Sequence, residues 1–269
     1  MRKWRVWNYF RDYFPIRLVK TVDLDPSRSY LFGYHPHGIV SVGAFCSFVT
    51  DAAGFHDLFP GLTSHLLTLR CWFFFPLLRE VLLFGGLSVA SRENIDSLLR
   101  HSNGQPRVGK AVVLVVGGAQ EALYACPGAR TLVLAKRFGF IKKSLQHGVP
   151  LVPCFAFGEN DLFSQNVAVP GSWARKIQDF LRKIFSFSTP MFWGRGIFNY
   201  SFGVLPRRVP VTVVVGAPVE PEGDGAPNEA PTTEQIQRHH AKYVEALVAL
   251  FEKHKFECGL GEMDHLEII

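Results

Sequence analysis

The stretch "AVVLVVGGAQEAL" (Ala111–Leu123) sets the fold class. Six apolar residues run without alternation into Gly117-Gly118, and Glu121 follows in what reads as the first turn of a helix. An unbroken apolar run of this length predicts a strand covered on both faces, the habit of parallel sheets. A strand–glycine–helix turn places backbone N–H groups and a carboxylate at the C-terminal edge of the sheet, where α/β folds take their ligands. No Gly-Lys-Ser/Thr follows and no GxGxxG is present, so neither a Walker loop nor a dinucleotide fingerprint is implied.

Working outward, "VTVVV" (Val211–Val215) is a second buried strand, and "SYLFGYH" (Ser29–His35) and "LVPCFAF" (Leu151–Phe157) are weaker ones. In "WARKIQDFLRKIF", Trp173, Ile177, Phe180, Leu181 and Ile184 fall on one helical face. A last helix begins after Pro231, with Thr232 and Gln235 as a capping box and Ile236, His240, Tyr243, Leu247 and Leu250 as its stripe. Residues 220–231, rich in Gly, Pro and acid, read as an exposed loop. With no repeat and no second composition regime, the expectation is one α/β domain over residues 30–269. Its sheet is mixed, mostly parallel and flanked by helices.

Composition narrows the partners. The chain has 269 residues, 48% hydrophobic and 19% charged, with a net charge of +6; that greasy, basic balance suits anionic surfaces such as phospholipid head groups or a phosphate-bearing ligand. Nucleic acid is not expected. Five scattered cysteines with no CxxC argue against a disulfide framework or a zinc knuckle. Residues 1–29 form a basic, aromatic segment: the first twenty positions carry six basic residues and one acid, interleaved with Trp4, Trp7, Tyr9, Phe10, Tyr13 and Phe14. Such interleaving suits a membrane interface, and equally a helix packing its aromatics on the domain. "CWFFFPLLREVLLFGGLSVA" (Cys71–Ala90), broken by Pro76 and Arg79-Glu80, is too interrupted to span a bilayer and reads as an interfacial or core segment.

Several constellations carry chemistry. In "YLFGYHPHG", His35 and His37 flank Pro36 and precede Gly38; on an extended strand, residues two apart share a face. Such a pair can begin a metal site, serve as a catalytic base, or simply pack. No Asp or Glu lies between Tyr30 and Asp51, so the metal reading lacks its remaining ligands, and no metal is expected. "LAKRFGFIKKSLQHG" gathers Lys136, Arg137, Lys142 and Lys143, cations suited to phosphate. "FGEND" offers Glu159 and Asp161 as paired carboxylates or as a turn, and "FWGRGIF" presents Arg195 between two glycines.

Together these blocks resemble the type 2 diacylglycerol acyltransferase family, which includes monoacylglycerol and wax-alcohol acyltransferases. The likeness runs through "RDYFP", "LVKTVDLDPSRSYLFGYHPHG", "FPGL", "VVGGAQEAL", "GFIKKSLQHGVPLVP", "FGENDLF", "GRGIF" and "VVVGAPV", in that order. It implies a membrane enzyme of the endoplasmic reticulum and lipid droplets with its active-site domain facing the cytosol. Such an enzyme moves an acyl chain from acyl-CoA, a co-substrate, to diacylglycerol, with no further cofactor. Monoacylglycerol or a long-chain alcohol are the alternative acceptors, a non-catalytic lipid-surface protein is the alternative of another class, and a homo-oligomer is compatible with all of these.

On that reading His35 or His37 takes the hydroxyl proton, and N–H groups at Gly38, Gly117 or Gly118 face the oxyanion. Lys136, Arg137, Lys142, Lys143 and Arg195 meet acyl-CoA. The wider glycerolipid acyltransferases use HxxxxD, but Val40 and Val42 stand five after the two histidines, so the orienting acid is expected elsewhere, at Glu121. Two departures stand out. In relatives a hydrophobic hairpin precedes this region, and the sequence here is expected to start just after where it would end; Phe138 separates Arg137 from Gly139, where relatives read Arg-Lys-Gly-Phe.

Overall fold

The apolar runs become the centre of a seven-stranded sheet in a computed structural model that describes residues 1–100, 109–165, 192–222 and 226–269. In chain order the strands are β1 (Arg17–Lys20), β2 (Tyr30–His35), β3 (Thr63–Thr68), β4 (Leu87–Val89), β5 (Lys110–Val115), β6 (Thr131–Leu132), β7 (Leu151–Phe157), β8 (Ser164–Gln165), β9 (Phe192–Trp193), β10 (Thr212–Val215) and β11 (Glu267–Ile268). The main sheet has the order β1-β10-β7-β2-β5-β3-β4, and only the β10–β7 pair is antiparallel. Two short ribbons, β6–β11 and β8–β9, lie outside it.

Helices α1 (Val6–Tyr13), α2 (Val42–Val49), α3 (Phe55–Leu58), α4 (Leu78–Phe84), α5 (Arg92–Leu99), α6 (Gly118–Glu121), α7 (Gly139–His147) and α8 (Thr233–His254) complete the described residues. The capping box at Thr232 and Gln235 is present as expected. The predicted helix at Trp173–Phe185 lies outside the described residues.

Alternation along β2 divides the core into two layers. Phe32 and Tyr34 join Phe48, Phe55 and Phe59 on the α2 face, while Leu31 joins Val112, Tyr243, Leu247 and Phe251 on the α8 face. Because β2, β5 and β7 are parallel, their C-termini all reach one edge. There sit Pro36-His37-Gly38, Gly117-Gly118 and Gly158. The antiparallel β10, and β1 parallel to it, bring their first residues, Thr212 and Arg17, to the same edge.

Two expectations change. Residues 1–29 are not set apart: β1 is an edge strand of the sheet, Phe14 and Ile16 are core, and Trp7 and Phe10 pack edge-on against Phe45. Apolar side chains this large bury more area on the domain than a free helix could, so the segment is drawn in. Within Cys71–Ala90, neither reading holds throughout. Leu87–Val89 supplies the other edge strand, but Phe74, Leu77 and Phe84 are 70%, 82% and 74% exposed. No helix among the described residues is long and apolar enough to cross a membrane.

At Gly33 the sheet and α8 come into close approach. A Cβ there would collide with the Tyr243 hydroxyl, which reaches the Gly33 carbonyl at 3.2 Å from α8. Gly33→Ala is therefore expected to cost about 1–3 kcal/mol in urea unfolding, by overpacking; an unchanged midpoint would mean that Tyr243 does not seat there.

Candidate active site

β2 stops at His35. The rule that residues two apart share a strand face therefore does not reach His37, and the two imidazoles have different surroundings. His35 is fully buried, with Nε2 3.0 Å from the Tyr243 hydroxyl. Since that hydroxyl reaches the Gly33 carbonyl, it donates there and accepts from Nε2–H, which leaves His35 Nδ1 as a bare, unpartnered acceptor. Burial drives the His35 pKa down to about 3, so the ring is neutral.

His37 is half-buried, and its Nδ1 lies 3.0 Å from the Gly38 carbonyl oxygen. A carbonyl only accepts, so Nδ1 carries the proton and Nε2 keeps its lone pair. Burial lowers the His37 pKa, opposed by that same carbonyl.

Two buried carboxylates grip this loop. Glu121 accepts from the backbone N–H of His37 at 2.6 Å and of Val133 at 2.7 Å. The expectation that Glu121 orients an imidazole is thus corrected: both its oxygens hold backbone. It reaches the loop because α6 begins directly after β5 and because Gly117 has no side chain where the carboxylate lies. Glu159, from the turn after β7, accepts from Val42 N–H (2.7 Å), Gly43 N–H (2.8 Å) and the Tyr34 hydroxyl (2.8 Å). It caps α2 where Ser41 does not, because the Ser41 hydroxyl donates instead to the His37 carbonyl at 2.7 Å. Burial pushes both carboxyls up to about 7, against the pull of these hydrogen bonds.

The predicted Glu159–Asp161 pair does not converge. Asp161 accepts from Gly128 N–H near the surface. Of the glycines, Gly38 (φ 61°) packs on Glu159 and Gly117 on Glu121, while the α-carbon of Gly118 (φ 58°) faces open space.

The cations separate. Arg137 donates to the Gly117 carbonyl (3.0 Å) and to Gln120 (3.1 Å), bracing the glycine turn. Lys143 is taken by Asp96 at 2.6 Å, which His147 shares. Lys136 and Lys142 are exposed. Arg195 is on another part of the surface, its guanidinium 5.6 Å and 5.0 Å from the ring centres of Tyr13 and Tyr200.

Against known proteins, the family described as "Diacylglycerol acyltransferase" matches residues 1–269. The chain belongs to the diacylglycerol acyltransferase family. Among its relatives, "2-acylglycerol O-acyltransferase 1" of Bos taurus is 47% identical over 99% of this chain and 77% of that protein. "Diacylglycerol O-acyltransferase 2" of Xenopus tropicalis is 47% identical over 100% and 73%, and the Homo sapiens protein of that name 46% identical over 100% and 67%. A solved 1-acyl-sn-glycerophosphate acyltransferase of Thermotoga maritima aligns with 90% of this chain and 76% of its own, at 13% identity and a TM-score of 0.47, too distant to weigh.

Sequence reasoning about this family member missed Tyr243 as the partner of His35, and Glu159 as the cap of α2. A signal for the second was present: Gly43 lies within the first turn of α2, where a Cβ would press on Glu159 and Tyr34.

Glu159→Ala strands two N–H groups and a hydroxyl in a dry site and is expected to cost about 3–5 kcal/mol. Asp161→Ala removes one bond near the surface and should cost about 1 kcal/mol or less. Urea unfolding of the two variants side by side separates a buried anchor from a surface turn.

Proposed function

We propose that this chain is an acyl-CoA:diacylglycerol O-acyltransferase that forms triacylglycerol, with His37 Nε2 as general base. The observation that carries the assignment is the His37 ring itself: Nδ1–H is held by the Gly38 carbonyl and Nε2 is left basic, on a loop clamped by Glu121. Family membership, and relatives named for acyl transfer to diacylglycerol and 2-acylglycerol, support the reaction class.

In the reaction, His37 Nε2 removes the acceptor hydroxyl proton as the oxygen attacks the thioester carbonyl. The C–O bond forms, the C–S bond breaks, and the thiolate leaves with the proton returned from the imidazolium. His35, sealed against Tyr243, is a positioning residue in this scheme. The open backbone at Gly118 is the assigned oxyanion donor, and Lys136 and Lys142, with Arg137, receive the phosphates of acyl-CoA. Lys143 and Arg195, engaged elsewhere, are left out. Acyl-CoA is a co-substrate, and no other cofactor enters.

The proposal includes place: the endoplasmic-reticulum membrane and lipid-droplet surface, with the site on the cytosolic side. Supporting it are the exposed Phe74, Leu77 and Phe84 and the basic net charge, a pairing suited to an interface rather than to bulk water.

Three outcomes test the proposal. Labelled oleoyl-CoA, offered with diacylglycerol, monoacylglycerol or hexadecanol, should give triacylglycerol fastest; preference for monoacylglycerol would move the acceptor assignment to the function named in the Bos taurus relative. His37→Ala should lower kcat about 100- to 10,000-fold with an unchanged urea midpoint, whereas His35→Ala should shift the midpoint as well, because it breaks the Tyr243 contact.

The pH profile adds a second check. Protonation turns one oxygen of Glu121 and of Glu159 from acceptor to donor and so breaks a backbone hydrogen bond at each, so activity should fall as pH drops through about 7, more steeply than for one proton. In the same descent the folded chain binds protons that the unfolded chain takes up only near pH 4.5, so these two groups add stability while activity is lost. A single-proton limb would assign the acid loss to His37 instead, whose pKa burial lowers. For attachment, Phe74, Leu77 and Phe84 changed together to Ser should abolish co-sedimentation with phosphatidylcholine/phosphatidylserine vesicles; retained sedimentation would discard that surface.

A further inference from the structure

β11 lies far in sequence from the histidine loop, yet its hydrogen bonds land close to it. It pairs in parallel with β6, Glu267 beside Thr131 and Ile268 beside Leu132. Glu267 N–H donates to the Arg130 carbonyl at 3.0 Å, and Ile269 N–H to the Leu132 carbonyl at 2.9 Å. In return the Ile269 carbonyl oxygen accepts from Leu134 N–H and Ala135 N–H, both at 3.0 Å.

Little core is gained by this pairing, since Leu266 and Ile268 are only half-buried and Glu267 and Ile269 are exposed. The ribbon is nevertheless anchored. Lys255, 3% exposed, donates to the Glu262 and Asp264 carbonyls at 2.9 and 3.0 Å and pairs with Glu252 at 2.7 Å. A buried ammonium is costly unless its charge is paired and its donors are used, and two of these donors go to the turn that leads into β11.

An extended strand sends the backbone groups of successive residues to opposite sides. Arg130, Leu132 and Leu134 turn theirs to β11, so Val133 turns its N–H the other way, where it meets Glu121 Oε2 at 2.7 Å. The second oxygen of Glu121 takes the His37 N–H at 2.6 Å. A slip of one residue against β11 would point the Val133 N–H at the ribbon and leave Glu121 held to the histidine loop alone. The register of a surface ribbon is thus tied to a buried carboxylate.

We infer that Glu267 and Ile269, through their backbone, are positioning residues of the active site: they hold Arg130, Leu132 and Leu134 in register, aim the Val133 N–H at Glu121, and through that carboxylate set the place of His37. The inference deepens the acyltransfer reading and rests on it for the role of His37, but the hold on His37 can be read without turnover.

The experiment compares two double variants of the full chain in detergent micelles. Glu267→Pro with Ile269→Pro removes both ladder donors, whereas Glu267→Ala with Ile269→Ala removes the same side chains and keeps the donors. The proline pair should lower kcat tenfold or more with oleoyl-CoA and dioctanoylglycerol, leaving both KM values within twofold, while the alanine pair stays within twofold of wild type throughout. Hydrogen exchange of the peptide spanning His37 should quicken several-fold in the proline pair alone, with the β2–β7 ladder as protected as in wild type. Wild-type kcat in the proline pair, an equal loss in the alanine pair, or unchanged exchange at His37 would overturn the inference. Exchange quickened equally across the sheet would overturn it too, by making β11 an element of stability only. If the wild-type chain gives no turnover, the acyltransfer reading fails by itself; exchange at His37 then decides whether β11 holds this loop, faster exchange sustaining that hold and unchanged exchange overturning it.

Discussion

Glu159 donates nothing and accepts three hydrogen bonds in a site that water does not reach: two from the first N–H groups of α2 and one from Tyr34. A helix beginning inside a core has orphan donors that must be satisfied, and here a carboxylate from a distant strand end satisfies them. The consequence is geometric. β7, which Glu159 directly follows, and β2, which carries Tyr34 and His35, are parallel neighbours, so the carboxylate locks the end of one strand to the helix that follows the other. The histidine-proline loop spans the short distance between these fixed points. Its conformation follows from where β2 ends and α2 begins.

Glu121 closes the loop from the other side, taking the His37 backbone N–H rather than its ring. Two carboxylates on backbone and none on imidazole is a different solution from the histidine–acid pair of the wider acyltransferases. An acid on the ring raises the basicity of the histidine, whereas an acid on the backbone fixes its position and leaves basicity to burial and to the Gly38 carbonyl. The orienting work is done by the main chain.

Much of this fold could be read from residue order. Val211–Val215 and Ala111–Val116 announced buried strands, and Thr232 and Gln235 announced the last helix, because those signals are local. "SYLFGYH" and "LVPCFAF" read as weaker strands although they are central, since Gly33 and Pro153 interrupt their propensity. Gly33 is demanded by Tyr243, 210 residues away. The histidine motif was visible, but its geometry was not. The same-face argument assumed a strand that reaches His37, whereas β2 ends two residues earlier, and the partner of His35 lies on a helix whose stripe showed only that Tyr243 is buried. Lys143 likewise looked available for phosphate until Asp96, 47 residues earlier, was seen to hold it.

The tautomer of His37 constrains the arrangement of both substrates. With Nδ1–H fixed on the Gly38 carbonyl, a base at His37, as proposed, would use Nε2 both to take the proton from the acceptor oxygen and to return it to the departing sulfur. Both atoms must therefore come within hydrogen-bond reach of one nitrogen, on either side of the carbonyl carbon. Two bulky substrates meet that condition most readily when they approach the loop from opposite flanks. At the edge of the sheet the Gly117 turn, braced by Arg137, stands at the end of β5, and a cavity lined by Pro36, Phe155 and Thr212 stands at β7 and β10. A long acyl chain on each substrate then has to leave the site outward, toward lipid. The exposed Phe74, Leu77 and Phe84 are the apolar surface that the proposed membrane attachment would use.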